Sequence, residues 1–167
     1  MVAGIGCRSG VSAEQVEAAL AAALGPGQSL SLIATPTAKG REPGIIAAAA
    51  ARGVCLVLIS QSDLEAANAG TLTHSDHSMA AMNVHSVAEA AALAGAGPQS
   101  RLLGPRIAVG PVTCALACRV AGAPAVAHEP TAARVPVGTH THAVSHTSAG
   151  THTHAVSHPT ADTTDTP

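Results

Sequence analysis

A short loop near the N-terminus carries the residue types with the most chemistry in this chain of 167 residues. Cys7 and Arg8 lie between Gly6 and Gly10, directly after an apolar run, and Ser12 then opens an amphipathic pattern. This order predicts a strand, a tight loop and a helix N-terminus, whose free N–H groups and partial positive charge attract anions. A guanidinium beside such groups suits carboxylates. The loop is therefore predicted to bind an anion through Gly6, Cys7, Arg8 and Gly10.

The thiol of Cys7 has two interpretations. A helix N-terminus lowers the pKa of a nearby thiol, so Cys7 is a candidate nucleophile as well as a ligand contact. Cysteine is also often simply buried, which makes Cys7 compatible with a small residue in a turn. The loop is a poor match to a dinucleotide fingerprint, because Ser9 stands where G-x-G-x-x-G requires its third glycine.

A second polar loop follows the next predicted strand and supplies further candidates. Thr35 ends that strand and Lys39 lies in the loop, and parallel strands bring such loops to the same sheet edge as the Cys7 loop. Both are predicted ligand contacts. Glu42 fits either a catalytic acid or base, or a negative charge at a helix start. Ser86 is one more predicted ligand contact, and it opens a capping box with Glu89.

The hydrophobic pattern predicts the elements that would position these residues. Apolar residues at helical spacing predict a helix over 12–24, with Ser12 and Gln15 as its capping box. Residues 30–35 predict a second strand, and the continuous apolar run at 54–60 predicts a parallel strand buried on both faces. A hairpin is predicted around 110–111. The order indicates an α/β fold: one layered domain over residues 1–120, with a mostly parallel or mixed sheet flanked by helices.

Composition narrows the class of partner. The chain has no Phe, Tyr or Trp and a net charge of −2, which argues against nucleic-acid binding and leaves no aromatic surface for stacking. The sequence has no visible targeting signal and no apolar run long enough to span a bilayer, so a cytoplasmic protein with no membrane partner is expected. A small alanine-rich domain is also compatible with burying one face in a homodimer.

Residues 121–167 differ sharply from the rest. They contain no Leu, Ile or Met, and Gly138–His146 recurs as Gly150–His158. Such a segment buries too little apolar area to offset its ordering entropy, so a disordered tail is predicted. Its repeated imidazoles are candidate weak ligands for cobalt, nickel, copper or zinc, although a duplication without function is the alternative. The candidate ligands are His140, His142, His146, His152, His154 and His158.

Three stretches, in this order and spacing, resemble the CobE/CbiG C-terminal domain family of cobalamin biosynthesis. They are Gly4–Ser12, Ala34–Gly44, and Ser86–Ala94 followed by Val112–Ala117. The resemblance covers residues 1–118. It implies a compact α/β domain that acts in corrin-ring assembly, similar to the stand-alone CobE form of the aerobic route. The chain departs from the family in lacking aromatic residues and in carrying the histidine-rich tail.

The resemblance implies two possible functions, and the histidine-rich tail suggests a third. The first is binding a precorrin or corrinoid intermediate by its carboxylate arms, or handing it on, with other pathway enzymes as partners. The second is hydrolysis of a cobalt-precorrin lactone, as in the larger CbiG-type proteins, with Cys7 or Glu42 as the reacting group. The third is buffering of cobalt or nickel by the tail. No cofactor is assigned, and cobalt would arrive with the substrate or on the tail.

Overall fold

The computed structural model describes residues 1–120 and 134–135. The elements alternate between strands and helices, and the final part is a set of short strands. In chain order they are β1 (Val2–Cys7), α1 (Ala13–Ala23), β2 (Leu32–Pro36), α2 (Pro43–Ala51), β3 (Cys55–Ile59), α3 (Gln61–Ala67), α4 (Asp76–Met82), α5 (Val87–Ala96), β4 (Ser100–Leu102), β5 (Ile107–Val109), β6 (Val112–Arg119) and β7 (Arg134–Val135).

The strands of the described residues form one mixed sheet in the order β4-β6-β1-β2-β3-β7. Strand β1 pairs parallel with β2, and β2 pairs parallel with β3, as the continuous apolar run at 54–60 predicts for β3. The longer β6 pairs antiparallel with the other edge of β1, and β4 and β5 pair with the two halves of β6. The predicted α/β fold with a mixed sheet flanked by helices is confirmed.

Helices cover both faces of the sheet. Helices α1 and α2 pack on one face through Leu20 and Ile45, which join Ile5 of β1 in one buried cluster. Helix α5 packs on the other face, where its buried alanines meet Ala34 of β2 and Ala115 of β6. Small side chains let α5 approach the strands closely, which is how a chain without aromatic residues still forms a dense core.

Helix starts follow the sequence signals in part. Ser12 and Gln15 form the predicted capping box of α1. Ser62 and Glu65 also have capping-box spacing in the sequence, which predicts a helix start at Ser62. That prediction is wrong, because the side chain of Ser60 caps α3 instead. The segment 71–85 fits either a loop or a partial helix by sequence, and the structure forms α4 within it.

The structure describes only residues 134–135 of the predicted tail. Strand β7 lies within residues 121–167 and pairs with β3. The remainder of that segment lies outside the described residues, so the boundary at residue 120 and the disordered tail stay predictions. Among the described helices, none combines the length and the apolar character needed to cross a bilayer. The cytoplasmic location stays a prediction.

Candidate functional site

A cleft of about 520 Å³ lies at the carboxyl ends of β1 and β2. Its walls come from the loop after β1, the loop after β2, helix α4, the residue before β5 and the β5–β6 turn. This is the sheet edge where the sequence places the two candidate loops, and where ligands bind in open α/β sheets. The predicted contacts Gly6, Cys7, Arg8 and Lys39 all line it.

The charged residues that line the cleft, among those the structure describes, are cations. Arg8, Lys39 and Arg106 come from three separate loops, and His77 adds an imidazole from α4. Among the described residues, no Asp or Glu lines the cleft. Met82 and other aliphatic groups supply an apolar wall. The arrangement can hold an anion of several charges with an apolar body, which fits the anion site expected from the sequence.

Glu42 ties the two candidate loops together. One oxygen of its carboxylate, Oε1, accepts a hydrogen bond of 2.8 Å from the N–H of Gly10. Lys39 Nζ donates to Ser9 Oγ over 2.8 Å and lies 4.0 Å from Glu42 Oε2. Glu42 is buried and does not line the cleft. The structure therefore uses this carboxylate to anchor a loop, and its catalytic role stays a prediction.

The start of α2 also lies close against the first loop. A Cβ at Gly44 would overlap the backbone of Val11 and Ser12. Only glycine permits this approach, which brings the N-terminus of α2 and the Cys7 loop together. The two loops thus form one unit, and the spacing of their charged groups is set by backbone contact as well as by Glu42.

Cys7 is half-buried at the base of the cleft. Burial raises the pKa of its thiol above the ordinary value. The charge of Lys39 lowers this pKa by a smaller amount, and the charge of Glu42 raises it by a still smaller one. The lowered pKa expected from a helix N-terminus is wrong, because α1 begins only at Ala13 and burial of the thiol outweighs the local positive charge. Cys7 keeps its proton at neutral pH, which disfavours a nucleophilic role.

Three predicted ligand contacts lie away from the cleft surface. The hydroxyl of Thr35 donates to the carbonyl of Ile5 over 3.0 Å, and the Thr35 side chain is fully buried. Ser86 is also fully buried and caps α5 by accepting from the N–H of Glu89. Gly10 uses its N–H on Glu42. These residues hold the walls in place, and their direct contact with a ligand stays a prediction.

Arg106 is a cation of the cleft that the sequence alone does not single out. Arg106 reaches the site because β6 pairs antiparallel with β1, with Val112 opposite Cys7. That pairing brings the β5–β6 hairpin to the carboxyl end of β1. The hairpin itself is visible in the sequence, but its placement beside the Cys7 loop depends on a contact between residues far apart in the chain.

The histidines give no closed metal site in the part of the chain that the structure describes, where no three His, Cys, Asp or Glu groups converge. His74 Nε2 lies 3.4 Å from Asp76 Oδ1, and its ring packs against His85 with centroids 4.9 Å apart. The six histidines predicted to bind metal lie outside the described residues, so that prediction stays open. They are His140, His142, His146, His152, His154 and His158.

Comparison with known families identifies the domain. The family model described as "Cobalamin synthesis G C-terminus" matches residues 1–117. The chain belongs to this family. The curated protein CobE of Sinorhizobium sp. is 38% identical over 122 residues, which cover 70% of this chain and 79% of that protein. The resemblance found in the sequence is confirmed, and the chain is a cobalamin biosynthesis protein.

Solved structures agree with the family assignment. A crystal structure of CobE, described as a protein from the cobalamin (vitamin B12) biosynthetic pathway, matches with a TM-score of 0.67 and 34% identity. The match covers 71% of this chain and 89% of that chain. The cobalamin biosynthesis protein chiG from Agrobacterium tumefaciens str. C58 matches with a TM-score of 0.58 and 39% identity, over 71% of this chain and 97% of that chain.

Proposed function

We propose that the cleft binds a precorrin or corrinoid intermediate of the cobalamin pathway through its carboxylate arms and hands it on to a pathway enzyme. The observation that supports this proposal is the charge of the cleft. Arg8, Lys39 and Arg106 line one cavity, and no carboxylate lines it among the described residues. An intermediate with several acetate and propionate arms is a polyanion, and guanidinium groups pair with carboxylates in bidentate geometry.

The remaining lining suits the body of such a ligand. The ring edge is apolar, and Met82, Val87 and Pro111 offer an aliphatic surface beside the cations. The chain has no Phe, Tyr or Trp, so the ring is held by aliphatic contact and by its arms instead of by stacking. Cations on three different loops contact arms on different sides of the ring, which favours a ligand whose negative charges are spread apart.

Binding is better supported than hydrolysis. The raised pKa of Cys7 leaves a neutral thiol in the cleft, and Glu42 is buried with its carboxylate bound to Gly10. Neither group is placed as an activated nucleophile or a free general base. A corrinoid that carries cobalt would bring the metal as part of the ligand, and the residues described above act on its arms.

Titration of the purified protein with hydrogenobyrinic acid tests the proposal by absorbance and calorimetry. We expect binding at about 1 μM, a value within the range of a site with several ion pairs, and a clear loss of affinity as salt rises. The control ligand is the same ring with its arms amidated, which keeps the shape and removes the charge. If the protein leaves the absorbance spectrum of the corrinoid unchanged and no heat of binding is measured at micromolar concentrations, the proposal is contradicted.

Arginine variants locate the binding site. Arg8→Ala and Arg106→Ala should each weaken binding about tenfold, because a charge-assisted hydrogen bond contributes about 1.5 kcal/mol or more. The matched control is Arg101→Ala, since Arg101 is exposed on β4 and does not line the cleft. Equal loss of affinity in all three variants would indicate non-specific attraction to positive charge, and the cleft would then not be the site.

A further inference from the structure

Glu89 is a fully buried carboxylate in α5 that accepts four hydrogen bonds. Its Oε2 accepts from the N–H groups of Leu72 and Thr73, over 2.7 and 2.9 Å. Its Oε1 accepts from the hydroxyl of Thr73 over 2.9 Å and from the N–H of Arg106 over 2.8 Å. The sequence suggests only a capping-box partner for Ser86, and the side chain instead binds two distant segments.

Both of those segments form walls of the cleft. Residues 72–73 lead directly into the segment that begins α4, and Ser75, His77 and Met82 of that segment line the cavity. Arg106 lines it from the other segment. One carboxylate therefore bridges the approach to α4 and the backbone of a cleft cation. An ionised carboxylate only accepts hydrogen bonds, and all four partners are donors, so the charged form fits this position.

The far end of α4 is held independently. Gln61 Nε2 of α3 donates to the carbonyl of Met82 over 2.6 Å, and the N–H of His85 donates to Asn68 Oδ1 over 2.7 Å. Glu89 supplies the anchor at the near end. Without the Glu89 carboxylate, residues 72–73 before α4 and Arg106 before β5 would lose their common hydrogen-bond acceptor.

We propose that Glu89 is the positioning residue of the cleft, which fixes Arg106 and the start of the α4 segment relative to each other so that both face one ligand. The inference rests on the proposed function for its ligand. Glu89 does not line the cavity, so it acts through Arg106 and α4 and makes no contact with the corrinoid.

The variant Glu89→Gln tests this with little change of volume. A glutamine turns one oxygen into an NH₂ donor, which must then face either Leu72 and Thr73 or Arg106, all of them donors. We expect about tenfold weaker binding of hydrogenobyrinic acid, the loss that follows when one charge-assisted contact is misplaced. The matched control is Glu17→Gln, because Glu17 pairs with Arg52 outside the cleft and should leave affinity unchanged.

A double-mutant cycle separates positioning from general loss of structure. If Glu89 acts by placing Arg106, Glu89→Gln should lower the affinity for hydrogenobyrinic acid less than about threefold in an Arg106→Ala background. In an Arg8→Ala background, the same substitution should lower the affinity by the full factor of about ten. Full additivity with Arg106→Ala would overturn the inference. A merely structural role would lower the affinity by the same factor in both backgrounds.

Amide hydrogen exchange gives a readout that needs no ligand. In Glu89→Gln, the amides that the new NH₂ group faces, either those of Leu72 and Thr73 or that of Arg106, should exchange faster, while the amide of Gly10, held by Glu42, should not change. Unchanged exchange at these three amides would overturn the inference.

If Glu89→Gln does not fold, Thr73→Val removes one donor only and should speed exchange at Leu72 and Arg106. Failure of the wild-type protein to bind the corrinoid contradicts the proposed function alone.

Discussion

Two buried carboxylates, Glu42 and Glu89, each hold a loop of the cleft by accepting backbone hydrogen bonds. Glu42 accepts the N–H of Gly10, and Glu89 accepts the N–H groups of Leu72, Thr73 and Arg106. In both cases backbone donors stabilise a negative charge that water no longer reaches. Each one fixes a loop at the cleft without lining it, which leaves the lining itself positive.

The buried thiol of Cys114 makes the stability of the protein depend on pH in the alkaline range. Burial raises the pKa of Cys114 to about 12, whereas an unfolded thiol titrates near about 8.5. Between these values the folded state keeps a proton that the unfolded state has lost. The free energy of unfolding should therefore fall as pH rises from about 8.5 towards 12.

The variant Cys114→Ala should flatten this dependence by up to about 1.4 kcal/mol per pH unit. Urea unfolding at a series of pH values from 8 to about 10.5 measures the slope. Few other side chains titrate in this pH range, because the chain has no tyrosine and has Lys39 as its only lysine. The control is Cys55→Ala, since Cys55 is exposed and should leave the slope as it is. An unchanged slope in Cys114→Ala would contradict the assignment.

At the level of elements, the contact between β1 and α5 determines the shape of the site. A Cβ at Gly4 would overlap the carbonyl of Ala88 and the amide of Ala92. The strand that ends in the Cys7 loop and the helix that carries Glu89 thus meet backbone to backbone. Their close packing fixes the distance between the two sides of the cleft.

Gly4→Ala should therefore destabilise the protein by about 1–3 kcal/mol or more, because the added methyl group meets backbone that can move only with the whole helix. Thermal or urea unfolding measures the change. The matched control is Gly104→Ala, where the added methyl group meets nothing within 4 Å and the expected change is within about 0.5 kcal/mol. Equal stability of the two variants would show that α5 does not pack as closely as described.

At the scale of the whole molecule, the chain combines a cationic cleft with a histidine-rich segment of separate composition. The repeated unit over 138–146 and 150–158 carries six histidines, which lie outside the described residues. Alternating imidazoles are candidate ligands for Co²⁺, Ni²⁺, Cu²⁺ or Zn²⁺, whereas the cations of the cleft suit carboxylates. The two activities should therefore be separable.

Deletion of residues 138–158 should abolish retention on immobilised Co²⁺ or Ni²⁺ and leave the affinity for hydrogenobyrinic acid unchanged. Metal retention and corrinoid titration on the same preparation measure both. A full-length variant with the six histidines replaced by serine is the control for chain length, and it should behave like the deletion. A large loss of corrinoid affinity in either variant would show that this segment takes part in the site.

Features that depend on neighbours within a few residues can be predicted from the amino-acid sequence. The capping box of α1, the parallel pairing of β1, β2 and β3, and the placement of Arg8 and Lys39 at one sheet edge all follow from local pattern and strand order. The order of the family-like stretches also identified the family. Hydrophobic periodicity and helix capping are local signals, so they are visible without the fold.

Contacts between segments that are distant in the chain depend on the fold and are visible only in three dimensions. Arg106 joins the cleft because β6 pairs with β1, and Glu89 binds Leu72 and Arg106 where the sequence suggests a capping box. Burial also set the direction of the Cys7 pKa, since desolvation depends on everything packed around the thiol. Local patterns thus predict the Cys7 loop and its place at the carboxyl ends of the strands. Long-range packing determines that Arg106 lines the cleft and that Glu89 supports it.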